Sequence, residues 1–168
     1  MKTLQIDRIA SPIGDVMIVV DEGRLCALGF DDEQPLLLPL RRRYGAACFE
    51  DADDPHGISG RIRAYFDGDL GALDAIPVDT GGTAFQQSVW TALRSIPAGT
   101  TLSYGALAAQ LGKPAAVRAV GAANSANPIS IVVPCHRLVG ANGKLVNYGG
   151  GLERKRWLLR HEGALIDE

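Results

Sequence analysis

Residues 129–137 read ISIVVPCHR and set a thiol, Cys135, beside an imidazole, His136, and a guanidinium, Arg137. A thiolate is a strong nucleophile, and nearby positive charge or hydrogen-bond donors lower a thiol pKa from about 8.5 into the reactive range. The apolar residues Ile129, Ile131, Val132 and Val133 predict a buried strand with Cys135 at its end. Pro134 restricts the backbone just before the thiol. The chemistry on offer is nucleophilic, from an activated cysteine with a depressed pKa. A buried structural cysteine beside a surface His and Arg is the other reading of the same letters.

The elements that must position this stretch lie on both sides of it. Thr83-Ala84-Phe85-Gln86 fits a capping box, in which Thr and Gln satisfy orphan N–H groups reciprocally. The helix after it carries Phe85, Val89, Trp90 and Leu93 on one apolar face, and residues 96–99 (IPAG) end it. Ser103 caps a second helix through Leu107 and Leu111, stopped by Gly112. Pro114 at the first helical position starts the next, AAVRAVGAANSAN. Two short helices so joined read as a helix-turn-helix. The second is almost all Ala and Gly, with Arg118 its one long charged side chain. Such a surface permits close approach to a nucleic-acid groove or, in the plainer reading, tight packing in a core.

Asn127-Pro128 breaks that helix and leads straight into the Cys135 stretch. Beyond it, residues 140–143 (GANG) make a tight turn, and residues 145–148 run into Gly149-Gly150-Gly151. Three consecutive glycines suggest close backbone approach to a ligand, at a spacing that is neither GxxxxGK[ST] nor GxGxxG. Residues 152–161 (LERKRWLLRH) form an amphipathic helix closed by Gly163, with Glu162 at its end.

The first half reads differently. Residues 4–10 alternate, residues 11–14 turn, and 16–20 and 25–30 are strands of a short antiparallel meander. Residues 35–44 suit a helix with Arg41, Arg42 and Arg43 in its last turn, where they complement the dipole at a solvated end. Residues 50–60 are acidic and read as a loop, and residues 60–66 as a helix with Ile62, Tyr65 and Phe66 inward. Cys26, Cys48 and His56 lack metal-ligand spacing, and burial is the ordinary explanation for the two thiols.

Charge separates the halves. Residues 1–80 carry 8 Lys/Arg against 15 Asp/Glu, a net −7, and residues 81–168 carry 9 against 4, a net +5. No acid occurs between Asp79 and Glu153, whereas Arg94, Lys113, Arg118, Arg137 and Lys144 do. That pattern favours an anionic partner for the second half over an acidic domain docked on a basic one. At 168 residues, 46% hydrophobic and 21% charged, the chain has the composition of a soluble globular protein. No apolar run approaches the roughly 20 residues that span a bilayer, and the N-terminus lacks the apolar core of a signal peptide. Three cysteines, an odd and sparse set, argue against a disulfide framework and for a reducing, cytoplasmic setting.

The run from Phe85 to Gly163 strongly resembles the O6-alkylguanine-DNA alkyltransferases, the single-turnover methyltransferases of direct DNA repair. FQQSVW, TLSYGALA, RAVG, NP, IVVPCHR, NYGGG and RKRWLLRHEG occur in the family's order and at its spacings. The resemblance implies an α/β protein: a ribonuclease H-like α/β domain over residues 1–80, then a mostly helical domain over 81–168 with a winged-helix-like helix-turn-helix. By the same resemblance Cys135 is the alkyl acceptor, and His136 and Glu162 draw off its proton through a bridging water. Tyr104 rotates the target nucleotide's phosphate and donates toward purine N3. Arg118 fills the stack in place of the extruded base, with Ala119, Gly121, Ala122 and Leu138 as further contacts. Asn127 ties the recognition helix to the cysteine loop, and Tyr148 and Gly149 wall the base pocket. Gly149 offers a backbone N–H toward O6 where some relatives carry Ser, so no hydroxyl is available there. The zinc ligands of some relatives have no counterpart here, so no metal or cofactor is expected. The implied partner is double-stranded DNA containing O6-alkylguanine, and in extension O4-alkylthymine, met by a monomer with cooperativity along DNA left open.

The chemistry agrees with that resemblance. Moving an alkyl carbon from an aryl-ether oxygen to sulfur needs in-line attack and donors for the departing purine. Inside a duplex that carbon is inaccessible, so the base must leave the stack. A thioether product does not hydrolyse, so turnover is one per chain. Two other classes compete: a non-enzymatic sensor of alkylated DNA, which Cys135 argues against, and a Cys-His hydrolase. Side chains of neighbours on a strand diverge, which disfavours His136 as a direct base in the hydrolase reading.

Overall fold

The structure, a computed structural model, describes residues 1–30 and 33–165, without the side chains of Glu33 and Gln34. The chain divides into two compact units, Met1–Gly81 and Gly82–Glu168. Together they form an α/β protein whose principal sheet is mixed.

In the first unit, strands β1 (Lys2–Ile9), β2 (Val16–Asp21) and β3 (Arg24–Phe30) make the antiparallel meander that the alternation predicts. Every residue of β2 is buried, as expected of an inner strand covered on both faces. Helix α1 (Glu33–Tyr44) follows and sends Leu37 and Leu40 into a core with Leu4, Ile6, Met17, Val19, Cys26 and Ala27. The acidic segment is only partly a loop. Residues Ala47–Asp51 form strand β4, which pairs parallel with β1 and completes the order β3-β2-β1-β4. Its acids, Glu50 and Asp51, are exposed on an edge strand, so their polarity hides a pairing made by backbone alone. Helix α2 (Ile58–Phe66) starts two residues earlier than its periodicity suggested and buries Ile58, Ile62 and Tyr65, with Phe66 only half-buried.

The arginines at the end of α1 are not merely solvated. Arg43 Nη2 donates to Asp79 at 2.6 Å, and Arg41 lies 5.3 Å from the Phe49 ring centroid. Of the first unit's two thiols, Cys26 is buried, but Cys48 is exposed and lies 2.9 Å from the Met1 sulfur.

The second unit opens with helix α3 (Ala84–Arg94), whose capping box is complete: Gln86 N donates to Thr83 Oγ1 at 3.1 Å, and Thr83 N donates back to Gln86 Oε1 at 3.0 Å. Val89, Trp90 and Leu93 face inward, and Trp90 Nε1 donates to the carbonyl of Ala123 at 2.8 Å. A two-residue strand, β5 (Leu102–Ser103), leads into α4 (Tyr104–Gln110), where Ser103 Oγ accepts from Ala106 N at 3.0 Å. Gly112, at φ +73°, ends that helix in the left-handed conformation its sequence position predicts. Helix α5 (Val117–Ser125) begins later than Pro114 suggested. Pro114 and Ala115 sit in a turn closed by Ala116 N to Lys113 O at 2.8 Å, and that local bond displaces the helix start by three residues. The last elements are β6 (Leu138–Val139), parallel to β5, and α6 (Leu152–His161). Among the described residues no helix is long and apolar enough to cross a membrane.

Candidate active site

The nucleophile is held by a turn, not by a strand. Residues 129–134 are a chain of bends, and Cys135–Arg137 form one turn of 3-10 helix ahead of β6. The apolar letters favour a strand, but the Asn127 amide overrides them. Its Nδ2 donates to Val133 O at 2.8 Å and to Ile129 O at 3.3 Å, while its Oδ1 accepts from Ile129 N at 3.0 Å. One side chain thereby winds the loop on itself and forces Ile131 to φ +72°. A β-branched residue there is a genuine outlier, held only because its surroundings over-determine it. Asn127 follows Ala126, the C-cap of α5, so these bonds join the end of that helix to the loop that carries Cys135. Within the helix, Asn124 adds a bond of its own, its Nδ2 donating to Cys135 O at 3.4 Å.

Turning the chain brings His136 and Arg137 inward together. Glu162, at the C-cap of α6, meets both: its Oε2 lies 2.8 Å from His136 Nε2, and Arg137 forks onto it from Nε at 2.8 Å and Nη2 at 3.0 Å. The third guanidinium nitrogen, Nη1, donates to Ile96 O at 2.6 Å. His136 is wholly buried, and the Glu162 side chain with it. Burial alone would raise Glu162, but the bonds from His136 and Arg137 outweigh it and hold the carboxylate at about 2. Burial keeps His136 below the ordinary imidazole range despite Glu162, with Arg137's charge acting in the same direction. The imidazole is therefore neutral at pH 7. Because the carboxylate accepts from Nε2, the proton sits there and Nδ1 carries the lone pair. That Nδ1 is buried with no protein partner. A base is thus oriented and left with its basic nitrogen unused.

The thiol itself departs from expectation. Burial pushes the Cys135 pKa up, and the Asn127 amide, the charge of Lys155 and the backbone N–H groups of Cys135 and His136 only partly offset it. The neighbouring positive charge anticipated from the sequence is real, but Arg137 spends it on Glu162. The cation bearing on sulfur is Lys155 of α6, which is fully buried. Its Nζ donates to the carbonyls of Leu138 at 2.6 Å, Val146 at 2.9 Å and Asn147 at 3.3 Å. The sequence predicts an amphipathic helix over residues 152–161 without singling out Lys155; only the register of α6, with Lys155 three residues before Leu158, signals that it faces inward.

An open groove of about 680 Å³ runs along the exposed side of α5. Tyr104 at the start of α4, then Arg118, Gly121, Ala122 and Ser125 of α5, and Val146 and Asn147 of the following loop line it. Arg118, Gly121, Ala122 and Ser125 share one helix face by their spacing, so small side chains and one arginine border the groove. Ala119 is exposed but not among its lining residues. Leu138 does not belong to this face. It is fully buried in β6, packed as core, with its N–H donating to Cys135 O and its carbonyl accepting from Lys155. Tyr148 stands edge-on to His136, with ring centroids 6.5 Å apart, and Gly149 is exposed with open space where a Cβ would point. Among the described residues no three His, Cys, Asp or Glu side chains gather to hold a metal ion.

Comparison with known proteins converges on one family. The model of the 6-O-methylguanine DNA methyltransferase DNA-binding domain matches residues 84–164. The methylated-DNA–protein-cysteine methyltransferase of Salmonella typhimurium is 50% identical over 170 residues, covering 99% of this chain and 99% of its own. Among solved structures, the Mycobacterium tuberculosis O6-methylguanine methyltransferase aligns with TM-score 0.78 at 38% identity, over 98% of this chain and 95% of that one. The same organism's OGT in complex with DNA gives 0.74 at 37% identity, over 96% and 93%. With a relative half identical from end to end, the chain belongs to the methylated-DNA–protein-cysteine methyltransferase family.

Proposed function

We propose that this protein repairs DNA by direct reversal, moving the alkyl group of O6-alkylguanine, and of O4-alkylthymine, onto its own Cys135 once per chain. The observation that carries the reading is the buried His136 beside the thiol, neutral, with Nε2–H committed to Glu162 and Nδ1 unpartnered. A thiol raised by burial needs such a base at the moment of attack. In the reaction the Cys135 S–H proton passes through a water to His136 Nδ1, and the sulfur attacks the alkyl carbon. An S–C bond forms as the C–O6 bond breaks, and the electron pair leaves on the purine. Tyr104 donates toward N3 and the Gly149 N–H toward O6, and the purine takes up the proton the thiol gave, leaving guanine and a thioether.

The same reading assigns the rest. The first unit is a ribonuclease H-like α/β domain. The second binds DNA and transfers the alkyl group, with α4 and α5 as a winged-helix-like helix-turn-helix. Arg118 enters the duplex to replace the extruded base, Gly121 and Ala122 let α5 approach the groove of the DNA closely, and Tyr148 walls the base pocket. The protein acts as a cytoplasmic monomer on double-stranded DNA without a metal or cofactor.

The test is intact mass and peptide mapping after incubation with duplex DNA carrying one O6-methylguanine. One added methyl group per chain, on Cys135, is expected, and Cys135→Ala retains DNA binding while losing transfer. A methyl group on Cys26 or Cys48 overturns the assignment. Tight binding of the damaged duplex with no mass change selects the sensor.

A further inference from the structure

Three consecutive glycines, residues 149–151, follow Tyr148, and glycine loses more conformational freedom on ordering than any other residue. Gly149 is exposed, with open space where a Cβ would point. A backbone N–H that serves a departing anion is effective only if it is held in place before the reaction. With no side chain of its own to pack, Gly149 has to be held through its neighbours.

Two successive side chains of α6 hold them. Arg154 is half-buried, and its Nη1 donates to Gly150 O at 3.1 Å. Lys155 has no exposed surface, and its Nζ donates to Val146 O at 2.9 Å, Asn147 O at 3.3 Å and Leu138 O at 2.6 Å. An ammonium has three protons, and all three are used. Backbone bonds complete the set: Gly151 N donates to Tyr148 O at 2.9 Å, and Lys155 N to Gly151 O at 3.1 Å. The carbonyls of residues 146, 147, 148, 150 and 151 are thus engaged, on both sides of Gly149.

Charge pairing does not explain the lysine. Among the described residues no carboxylate meets its ammonium, and Glu162 is taken by His136 and Arg137. A buried cation is costly even when its donors are satisfied, and methionine would fill the same volume without that penalty. The lysine adds two things to methionine. One is a charge that bears on the Cys135 sulfur. The other is a staple that joins Leu138, directly after the Cys135–Arg137 turn, to Val146 and Asn147 on the border of the groove.

We propose that Lys155 and Arg154 are positioning residues of the transfer reaction, clamping residues 146–151 by their carbonyls so that the Gly149 N–H is held toward the departing purine. The inference rests on the alkyl-transfer reading. Lys155 holds the segment from inside and ties it to the turn that carries the nucleophile, and Arg154 holds it from the rim. The distance between sulfur and the Gly149 N–H is thereby set from α6. Neither side chain touches the reacting atoms through this role.

A comparison of two electrophiles separates the clamp from the charge. Iodoacetamide reacts with the thiol and releases iodide, which needs no donor, whereas the purine needs one at O6. Single-turnover transfer from O6-methylguanine in duplex DNA, at saturating protein, is measured beside iodoacetamide alkylation of Cys135 followed by peptide mapping. Both are run at one pH for wild type, Lys155→Met and Arg154→Met. Lost charge slows both reactions of Lys155→Met alike, so the ratio of transfer to alkylation reads the clamp. That ratio falls roughly three- to tenfold in Lys155→Met and about threefold in Arg154→Met, the effect of one misplaced hydrogen bond. A wild-type ratio in Lys155→Met overturns the proposal, and a wild-type ratio in Arg154→Met overturns the arginine's part in it. Amide hydrogen exchange gives a reading independent of transfer. It quickens at Gly151 in both variants, and in Lys155→Met also at Gly140, whose N–H donates to Lys144 O at 2.7 Å within the stapled loop. Unchanged exchange at these amides overturns the clamp. Should Lys155→Met fold poorly, Arg154→Met supplies both readings from a residue at the rim. Were wild type to transfer no alkyl group at all, the function would fall while amide exchange still decided whether α6 holds the segment.

Discussion

Two cysteines of this chain are buried almost equally, and they could hardly be less alike. Cys26 is 1% exposed in the core of the first unit and Cys135 is 6% exposed in the second. The thiol of Cys26 donates to Val19 O at 3.3 Å, and burial, with the nearby Asp21 charge, pushes its pKa up to about 12. Burial raises Cys135 as well, but there an amide, an ammonium and two backbone N–H groups work against it. Seclusion is shared; what distinguishes Cys135 is the set of donors around it and the buried His136 that follows it in the chain. A resting pKa on the high side also fits a protein that spends its thiol once. Storage as S–H protects it from oxidation, which acts on thiolate.

The comparison breaks most visibly if the base is disabled. Glu162→Gln leaves the Arg137 guanidinium buried without its counter-charge, an uncompensated charge that costs about 3–5 kcal/mol. It also removes the anion that orients His136 and stabilises the imidazolium formed during transfer, so the rate falls about 100-fold. The pH dependence has a definite sign. Glu162 is held at about 2 in the folded protein, below the unfolded value, so its contribution is complete above about pH 4.3 and is lost as pH falls toward 2. Denaturant unfolding of wild type and variant should therefore differ at pH 7 and converge toward pH 2. Curves a constant distance apart would mean that Glu162 does not titrate with folding.

A smaller effect follows from the ammonium. Lys155→Met keeps the length of the side chain and removes both the charge near sulfur and the three carbonyl bonds. The Cys135 thiol should titrate higher, and its alkylation by iodoacetamide at pH 8 should slow by about tenfold, with Cys48, which is exposed, as internal control. A second consequence concerns stability. Burial lowers Lys155 to about 8 in the folded state, so between about pH 8 and 10.4 the unfolded chain binds the extra proton. Wild-type stability gains from this group as pH rises through that window, and Lys155→Met lacks the gain. Identical pH slopes for the two proteins would sink the assignment.

Where the sequence speaks locally, it was legible. Thr83 and Gln86 cap α3 through bonds spanning three residues, and Ser103 and Gly112 bracket α4 by rules that need no tertiary information. Cys135 and His136 stand out by residue type and adjacency, whereas Glu162 joins them only through the resemblance. Their geometry was not legible, since residues 129–133 carry the letters of a strand and one amide, Asn127, converts them to a turn. Strand β4 escaped because edge pairing uses backbone that acidic side chains do not advertise. The sequence sets Arg137 among the cations that favour an anionic partner and Lys155 merely within an amphipathic helix, yet both are buried cations whose partners, Glu162 and three carbonyls, are distant in sequence or belong to backbone. Charge is a surface signal by default, and only packing reveals the exceptions.

The smallest effect belongs to the other thiol. Cys26→Ala removes one sulfur from a core made of Leu4, Ile6, Met17, Val19, Ala27, Leu37 and Leu40. The cost is that of a small cavity, about 1–2 kcal/mol, and it should appear as a lower denaturant midpoint with an unchanged m-value. Alkyl transfer should proceed at the wild-type rate, and iodoacetamide should modify the same thiols under native conditions, because a thiol at about 12 supplies almost no thiolate at pH 8. Cys26→Ser separates volume from polarity. The hydroxyl can keep the bond to Val19 O but must be desolvated, so serine should be no more stable than alanine if packing dominates. Should Cys26→Ala instead slow transfer as much as Lys155→Met does, the donors around Cys135 would not account for the difference between the two thiols. The first unit would then act on the chemistry by a route that neither site contains.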